Sequence, residues 1–221
     1  LLVVFFNREK FTIVHSVSPK AGLLTMISSW VVRVPVRIHT FTGQVWVTRK
    51  GLIRYLLCFL DKVIYKLSTK IIIDSKSQLN FLKKNNIIPK SKSKAIVIGK
   101  GSISGVDLKS FKFDLKVREK VRAQLGVNKS TFVLLYLGRL KKEKGILELL
   151  KAFSIIHQEY DNSILWCVGP DEDSLQINLE NVEGVRFFPF TENPEIFMNA
   201  CDLFCMPSYR EGFGTAVIEA A

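Results

Sequence analysis

Phe132-Val133-Leu134-Leu135-Tyr136-Leu137-Gly138-Arg139 decides the fold class. Six consecutive apolar or aromatic residues closed by a glycine predict a strand buried on both faces. Downstream, Ile146, Leu149, Leu150, Phe153 and Ile156 recur at helical spacing, with Glu148, Lys151 and Ser154 between them. The alternation continues. Ile164–Val168 predicts a second strand ending at Gly169, the polar stretch after it reads as helical, and Val185–Phe188 predicts a third strand. Pro194–Cys201 reads as a short helix, Leu203–Met206 as a fourth strand, and an apolar helix begins near Thr215. Strands alternating with helices at this spacing imply an α/β fold, a mainly parallel sheet with helices on both faces. Ligands of such sheets bind beyond the carboxyl ends of the strands, where Gly138-Arg139, Gly169-Pro170 and Pro207-Ser208 fall.

Upstream the pattern is similar but less regular. Phe11–Val14, Val36–His39, Lys70–Asp74 and Ala95–Ile98 predict strands, and Ala21–Val32 and Ile53–Leu67 predict helices. Leu1–Phe6 lacks the cationic lead of a signal peptide and reads as a buried strand. There is no initiator Met, and Glu219-Ala220-Ala221 reads as helix interior, so the expectation is a piece of a longer protein. Gly99, Gly101, Ser102, Ser104 and Gly105 punctuate the clearest boundary, which divides a domain at 1–107 from one at 108–221. A short basic-serine loop occupies Lys90–Lys94.

Composition narrows the function. Apolar residues make up 48% and charged residues 24% of the 221, ordinary for a globular chain. No apolar run approaches the roughly 20 residues that a membrane helix needs. Cys58, Cys167, Cys201 and Cys205 form no CxxC pair, and His15, His39 and His157 are scattered. Free buried thiols in a reducing compartment are expected, and no metal site. Residues 1–112 carry 20 Lys and Arg against 4 Asp and Glu, whereas residues 113–221 carry 12 against 16. A basic body favours anionic partners: nucleic acid, anionic lipid or phosphorylated ligands. Its aromatics, Phe11, Trp30, Phe41, Trp46, Tyr55, Phe59, Tyr65 and Phe81, lie mostly in apolar stretches and not among clustered cations. That argues against the alternative of a nucleic-acid-binding module.

Two constellations carry chemistry. In Gly138-Arg139-Leu140-Lys141-Lys142-Glu143-Lys144-Gly145 a strand ends, cations follow and a helix starts at Gly145. A pyrophosphate there would meet Arg139, Lys144 and a helix N-terminus. A solvated basic loop is the plainer reading of those charges alone. In Pro207-Ser208-Tyr209-Arg210-Glu211-Gly212-Phe213-Gly214-Thr215-Ala216-Val217-Ile218-Glu219, a Gly-aromatic-Gly turn separates two glutamates. Gly212 and Gly214 permit close backbone approach, so the amides of Gly214 and Thr215 could meet phosphate. Carboxylates suit sugar and ribose hydroxyls, and both could face one ligand across the helix N-terminus. A glutamate that complements a helix dipole would explain one of the two but not the turn.

Both motifs in this order, with Asp202-Leu203-Phe204 between them, resemble glycosyltransferase family 4. His15-Ser16 to Lys20-Ala21-Gly22, Ile38-His39-Thr40-Phe41-Thr42-Gly43-Gln44-Val45-Trp46 and Gly101-Ser102-Ile103-Ser104-Gly105-Val106-Asp107 resemble a bacterial branch that builds capsule, O-antigen and other surface polysaccharides. The resemblance implies a GT-B fold of two Rossmann-like domains facing across a cleft, both incomplete in this chain. Residues 1–107 would be the acceptor-side domain and 108–221 the nucleotide-sugar donor domain. It implies retaining sugar transfer from a nucleotide-diphosphate donor to a glycan or polyprenyl-diphosphate-linked acceptor. Arg139 and Lys144 would neutralise the departing diphosphate, Glu211 would bind the transferred sugar and Glu219 the ribose. Gly138 and the backbone around Gly212, Phe213, Gly214 and Thr215 would complete the donor site. No metal or other cofactor is needed. The resemblance also implies a cytoplasmic enzyme, peripheral on an anionic membrane surface, with Ile53–Leu67 as candidate contact helix or, equally, an amphipathic core helix. Many relatives have a His-Gly pair where Thr42-Gly43 stands here, which leaves His39, Thr42 and Gly43 as candidate sugar contacts. Many also have Gly-x-Gly where this chain has Gly169-Pro170-Asp171. An inactive truncated piece is the remaining alternative.

Overall fold

The computed structural model describes residues 1–91, 93–102, 104–174 and 182–221. They form two compact units, Leu1–Ser104 with Arg210–Phe213, and Gly105–Tyr209 with Gly214–Ala221. The main division falls at Ser104/Gly105, three residues before the expected boundary, and the short Arg210–Phe213 segment groups with the first unit.

The first unit is built on a parallel sheet whose strands β1 (Ile13–Ser16), β2 (Val36–Phe41), β3 (Lys70–Ile73) and β4 (Ala95–Ile96) lie in sequence order. Helices α1 (Leu2–Glu9), α2 (Pro19–Val31), α3 (Gly51–Leu67) and α4 (Lys76–Lys84) pack around it. Pro19 at the first helical position starts α2 with its φ already set. Ser75 caps α4 by accepting the Gln78 N–H at 3.1 Å. The core is formed by Val14, Met26, Phe41, Ile64, Ile71, Ile73 and Leu82, with Trp46 stacked on Phe81 at 5.3 Å.

Two expectations change here. Leu1–Phe6 is not a strand but the body of α1. Leu2 and Phe6, one helical turn apart, turn toward the core, while Val3, Val4 and Phe5 stay exposed. Lys10, in the left-handed region at φ 50, ends the helix with its N–H on the Phe6 carbonyl. A short apolar run does not distinguish helix from strand, and here the i, i+4 pair decides. The first strand is also displaced, running over Ile13–Ser16 rather than 11–14.

The second unit carries the parallel sheet β7-β6-β5-β8, formed by β5 (Phe132–Leu137), β6 (Ser163–Val168), β7 (Val185–Phe188) and β8 (Leu203–Phe204). Helices α5 (Leu115–Gln124), α6 (Ile146–Glu159), α7 (Pro194–Ala200) and α8 (Thr215–Ala220) surround it. Every residue of β6 is buried, the pattern of a strand covered on both faces. Trp166 packs edge-on against Phe188 and Phe197 in one layer, and Tyr136, Phe153 and Cys167 fill the other. The expected helical stretch after Gly169 falls largely on residues 175–181, outside the described ones.

Polar groups lock α5 to the turn before β8. Arg122, 5% exposed, donates to the carbonyls of Ala200 at 3.0 Å and Asn128 at 2.7 Å, and to Asp202 Oδ2 at 3.3 Å. The same carboxylate oxygen accepts the Val133 N–H at 2.7 Å, so one side chain joins a strand edge, a helix and a turn. Arg122 is buried but Asp202 is partly exposed, so solvent screens the loss of this partner and the cost falls below the figure of about 3–5 kcal/mol for a fully buried pair. Asp202→Ala should therefore destabilise the second unit by roughly 2 kcal/mol in urea unfolding, and a loss below about 0.5 kcal/mol would show that the network is not holding the unit.

Candidate functional site

The cation-bearing loop sits at the carboxyl end of the second sheet. Gly169, at φ 144, lies so close to the neighbouring strand end that a Cβ there would stand 2.1 Å from the Gly138 carbonyl oxygen. This approach brings the segments after β5 and β6 side by side. The Leu140 N–H donates to the Pro170 carbonyl at 2.8 Å, and Leu140 and Asp171 form a parallel bridge. Buried Tyr136 donates its hydroxyl to the Arg139 carbonyl at 2.7 Å, and Leu140 is 1% exposed, so the loop is anchored from beneath. A 3-10 turn at Lys142–Lys144 and a left-handed Gly145, φ 71, precede α6, which begins at Ile146, one residue later than expected.

The structure also joins the first constellation to Pro207–Tyr209, the opening residues of the second, which lie more than 60 residues away in sequence. A Cβ on Gly145 would meet the Pro207 carbonyl oxygen at 2.3 Å, and the Tyr209 N–H donates to the Glu143 carbonyl at 3.1 Å. A hydrogen bond to the Tyr209 hydroxyl holds the Glu148 carboxyl below its ordinary range. Gly138, Arg139, Lys144 and Pro207–Tyr209 thus form one surface of the second unit.

Arg139 is paired, which the sequence did not show. Its guanidinium bonds Glu172 Oε2 at 3.1 Å, and Lys141 Nζ reaches the same oxygen at 3.1 Å. The hydrogen bond from Lys141, aided by the charge of Arg139, lowers the Glu172 pKa. Glu172 stands just beyond the Gly169-Pro170-Asp171 departure. Its signal was an acidic residue following a strand end, masked by a run of polar residues.

Gly214, at φ 78, precedes α8, and a Cβ there would lie 3.0 Å from Met206 Cε. Thr215 opens α8, and Glu219 lies near its end. Glu219 lines a small cavity with Lys112, Glu195 and Asn199, where partial burial raises its pKa. Its neighbours there are not those of Arg139.

Glu211, Gly212 and Phe213 belong to the first unit, where they meet two of the three candidates in that half. Arg210 donates to the Gly43 carbonyl at 3.3 Å, and Ser75 Oγ donates to the Gly212 carbonyl at 3.1 Å. A Cβ on Gly212 would lie 3.1 Å from the Gly43 nitrogen and 3.2 Å from the Thr42 carbonyl carbon. Phe213 covers Gly101, where a Cβ would stand 2.9 Å from Cε2 of its ring.

His39 is elsewhere. It is 1% exposed, with Nδ1 2.9 Å from Ser16 Oγ and its ring 4.8 Å from Phe41. A Cβ on Gly22 would strike Cε1 at 2.4 Å, so α2 closes over the ring. Burial, aided by His15, lowers its pKa to about 4. His39 is therefore a neutral core histidine in this structure and presents no face to a ligand. The strand-end position that suggested a contact places it on the inward side of β2.

Asp74 was overlooked. It directly follows β3, is 4% exposed, and its Oδ1 has no hydrogen-bond partner among the described residues. Oδ2 would lie 2.4 Å from a Cβ on Gly212. The available signal was an acid ending an apolar strand in a half with 4 acids among its 112 residues.

Both units are parallel α/β sheets, and the second has a glycine-shaped loop at its carboxyl end, an architecture that solved GT-B structures share. Residues 117–221 match the family described as Glycosyl transferases group 1. The capsular polysaccharide biosynthesis glycosyltransferase CapM of Staphylococcus aureus is 33% identical over 99% of this chain and 58% of its own length. The Escherichia coli UDP-Gal:alpha-D-GlcNAc-diphosphoundecaprenol alpha-1,3-galactosyltransferase is 27% identical over 99% of this chain and 57% of its own. Anabaena HepE, solved in complex with UDP-glucose, superposes with a TM-score of 0.76 at 21% identity over 99% of this chain and 59% of its own. The chain therefore spans under two thirds of the length of each of these three proteins.

Burial raises the Asp74 pKa from 3.8 to about 6, so the fold prefers the protonated carboxyl. Its contribution is fully present below the unfolded value and is lost as pH rises through about 6, a swing of up to about 3 kcal/mol. Asp74→Asn should match the wild type near pH 4 and exceed it in stability above pH 7. Asp61, also raised to about 6, and His39 titrate in both proteins, so the difference isolates Asp74. Parallel stability-pH curves for the two would rule this out.

Proposed function

We propose that the protein containing this chain is a retaining glycosyltransferase of family 4. It moves a sugar from a nucleotide-diphosphate donor to a glycan or polyprenyl-diphosphate-linked acceptor in surface polysaccharide biosynthesis. The observation that carries this reading is the joined surface of Gly138–Gly145 and Pro207–Tyr209 at the carboxyl end of β5. Its glycine contacts leave backbone and cations at the place where α/β sheets bind ligands. The relatives' activities on capsular polysaccharide and on a diphosphoundecaprenol-linked sugar support it.

In this reading Arg139 and Lys144 neutralise the diphosphate as the sugar–phosphate bond breaks. Glu211 binds hydroxyls of the transferred sugar and Glu219 the ribose. Gly138, Gly212, Phe213, Gly214 and Thr215 shape the donor site, and Thr42 and Gly43 remain the candidate sugar contacts of the first half. The acceptor attacks on the face that the diphosphate leaves, through an oxocarbenium-like state. Charge stabilisation of the leaving group then does most of the chemistry, with no cofactor. A single preorganised group of this kind contributes about 3–4 kcal/mol. Lys144→Ala and Glu211→Ala in the full-length protein should each lower transfer by about a hundredfold or more. Rates equal to wild type in either variant would place the donor site elsewhere. A melting-shift screen with UDP-, GDP- and TDP-sugars identifies the nucleotide.

The first unit supplies a reason for peripheral membrane contact on the cytoplasmic side. Leu52, Ile53, Tyr55, Leu56 and Phe59 of α3 are exposed alongside Lys62 and Lys66. No helix among the described residues is long and apolar enough to cross a membrane. An amphipathic helix of this kind lies in the interface, each nearby cation contributing about 1 kcal/mol on an anionic surface. Binding to phosphatidylglycerol vesicles should fall by about tenfold or more when Leu56 and Phe59 are changed to Ser. Unchanged binding would remove α3 from the contact.

A further inference from the structure

We propose that the apolar cavity between α2 and α3 receives the first isoprenoid units of a polyprenyl-diphosphate-linked acceptor, an inference that rests on the transferase reading above. The cavity measures about 420 Å³ and is walled by Leu23, Val45, Trp46, Leu57, Leu60 and Ile64. Protein interiors rarely leave such a volume unfilled, because its lining forfeits dispersion contacts. Its volume and mainly apolar lining are those of a small-ligand site. It has a closed and an open end. Trp46 and Ile64 are 1% exposed, whereas Ser18, Pro19 and Lys20 on its lining are exposed.

The polar groups fit a chain with an anionic head. The carboxylate in the wall, Asp61, is 7% exposed and accepts the Trp46 indole N–H at 2.7 Å, which fixes the ring as a wall. Lys20 stands at the open end, and the Arg54 guanidinium lies 5.2 Å over the Trp46 ring. Between Lys10 and Ser104 the acids are Asp61 and Asp74, both buried. No exposed carboxylate of that stretch therefore competes with a diphosphate for Lys20. Position agrees as well. Ser18 follows the carboxyl end of β1 by two residues, and Val45 follows Gly43 by two. The opening thus lies toward the sheet end that holds Thr42, Gly43 and Gly212. The face of α3 opposite the cavity carries Leu52, Leu56 and Phe59, so one helix would meet the lipid surface and guide the chain drawn from it.

Calorimetric titration of the full chain with farnesyl diphosphate, farnesol and inorganic diphosphate tests this. Farnesyl diphosphate should bind at least about tenfold more tightly than inorganic diphosphate, since its prenyl chain leaves water for the apolar cavity. Leu57→Trp, which fills the cavity, should remove that advantage and leave inorganic diphosphate unchanged. Lys20→Ala should weaken farnesyl diphosphate but not farnesol. Leu60→Phe is the milder filling variant, and an unchanged circular dichroism spectrum qualifies either one. Equal affinities for the two diphosphates, or tight prenyl binding that survives filling, would overturn the proposal. So would a filled variant that melts higher with prenyl affinity intact, the behaviour of a mere packing defect. A parallel UDP titration separates the two readings. UDP binding without prenyl preference overturns the cavity alone, whereas cavity-dependent prenyl binding without UDP binding supports the cavity and overturns the donor reading.

Discussion

Gly169 has no side chain, and the second unit's ligand-facing end is arranged around that absence. Its Cα approaches the Gly138 carbonyl within a distance that no Cβ could occupy. The loops after β5 and β6 can therefore run side by side, which lets Glu172 reach Arg139 and Lys141. Gly145 repeats the device against the Pro207 carbonyl. Two contacts that only glycine allows thus bring residues 138–145, 169–173 and 207–209 into one surface, with Tyr136 pinning the first loop from the core. The cations at this site owe their position to backbone proximity rather than to a conventional helix start.

The Glu172 contacts bear on how such a surface would work. A guanidinium and an ammonium sharing one carboxylate oxygen are held close together and at a fixed height above the sheet. On the donor-site reading proposed above, a diphosphate would replace Glu172 as the anion these two cations share. Preorganised charge is what stabilises a leaving group effectively, since no free energy is spent orienting it at the moment of reaction. The same pairing keeps two positive charges from repelling each other when the site is empty.

The longer strands of the second unit were the most readable elements, because β5 and β6 are continuous apolar runs each closed by a glycine. Phe132–Leu137 and Val185–Phe188 begin and end where the pattern says. The first unit was harder. Its strands β1 and β4 are four and two residues long, too short for periodicity to set their limits. Helix α4 of the first unit and helix α5 of the second, neither of them expected, are largely polar, with caps at Ser75 and Asp114 that mark them better than hydrophobic spacing does. The motif residues were visible, but not their distribution. The position of Glu211 in the first unit and Glu219 in the second depends on where the chain turns between Tyr209 and Gly214. His39 shows the same limit at the level of one residue. Its strand end was legible, but Gly22 and Ser16, which enclose the ring, approach from distant positions in the chain.

Charge in the first unit follows a rule that composition alone does not reveal. The two carboxylates between Lys10 and Ser104 are withdrawn from the surface, Asp61 beneath Trp46 and Asp74 behind Gly212, and burial raises both pKa values to about 6. Neither neutralises the exposed lysines and arginines, so the surface is more positive than the count of acids suggests. Asp74 is costly in this position, since an ionised carboxyl with an unpartnered oxygen lowers stability. Its backbone nevertheless accepts the Ser102 N–H at 2.7 Å, and its side chain faces the glycine that follows Glu211. A side chain at Gly212 would strike the Asp74 carboxyl, so the close packing of the Arg210–Phe213 segment against this buried acid depends on the glycine that follows Glu211.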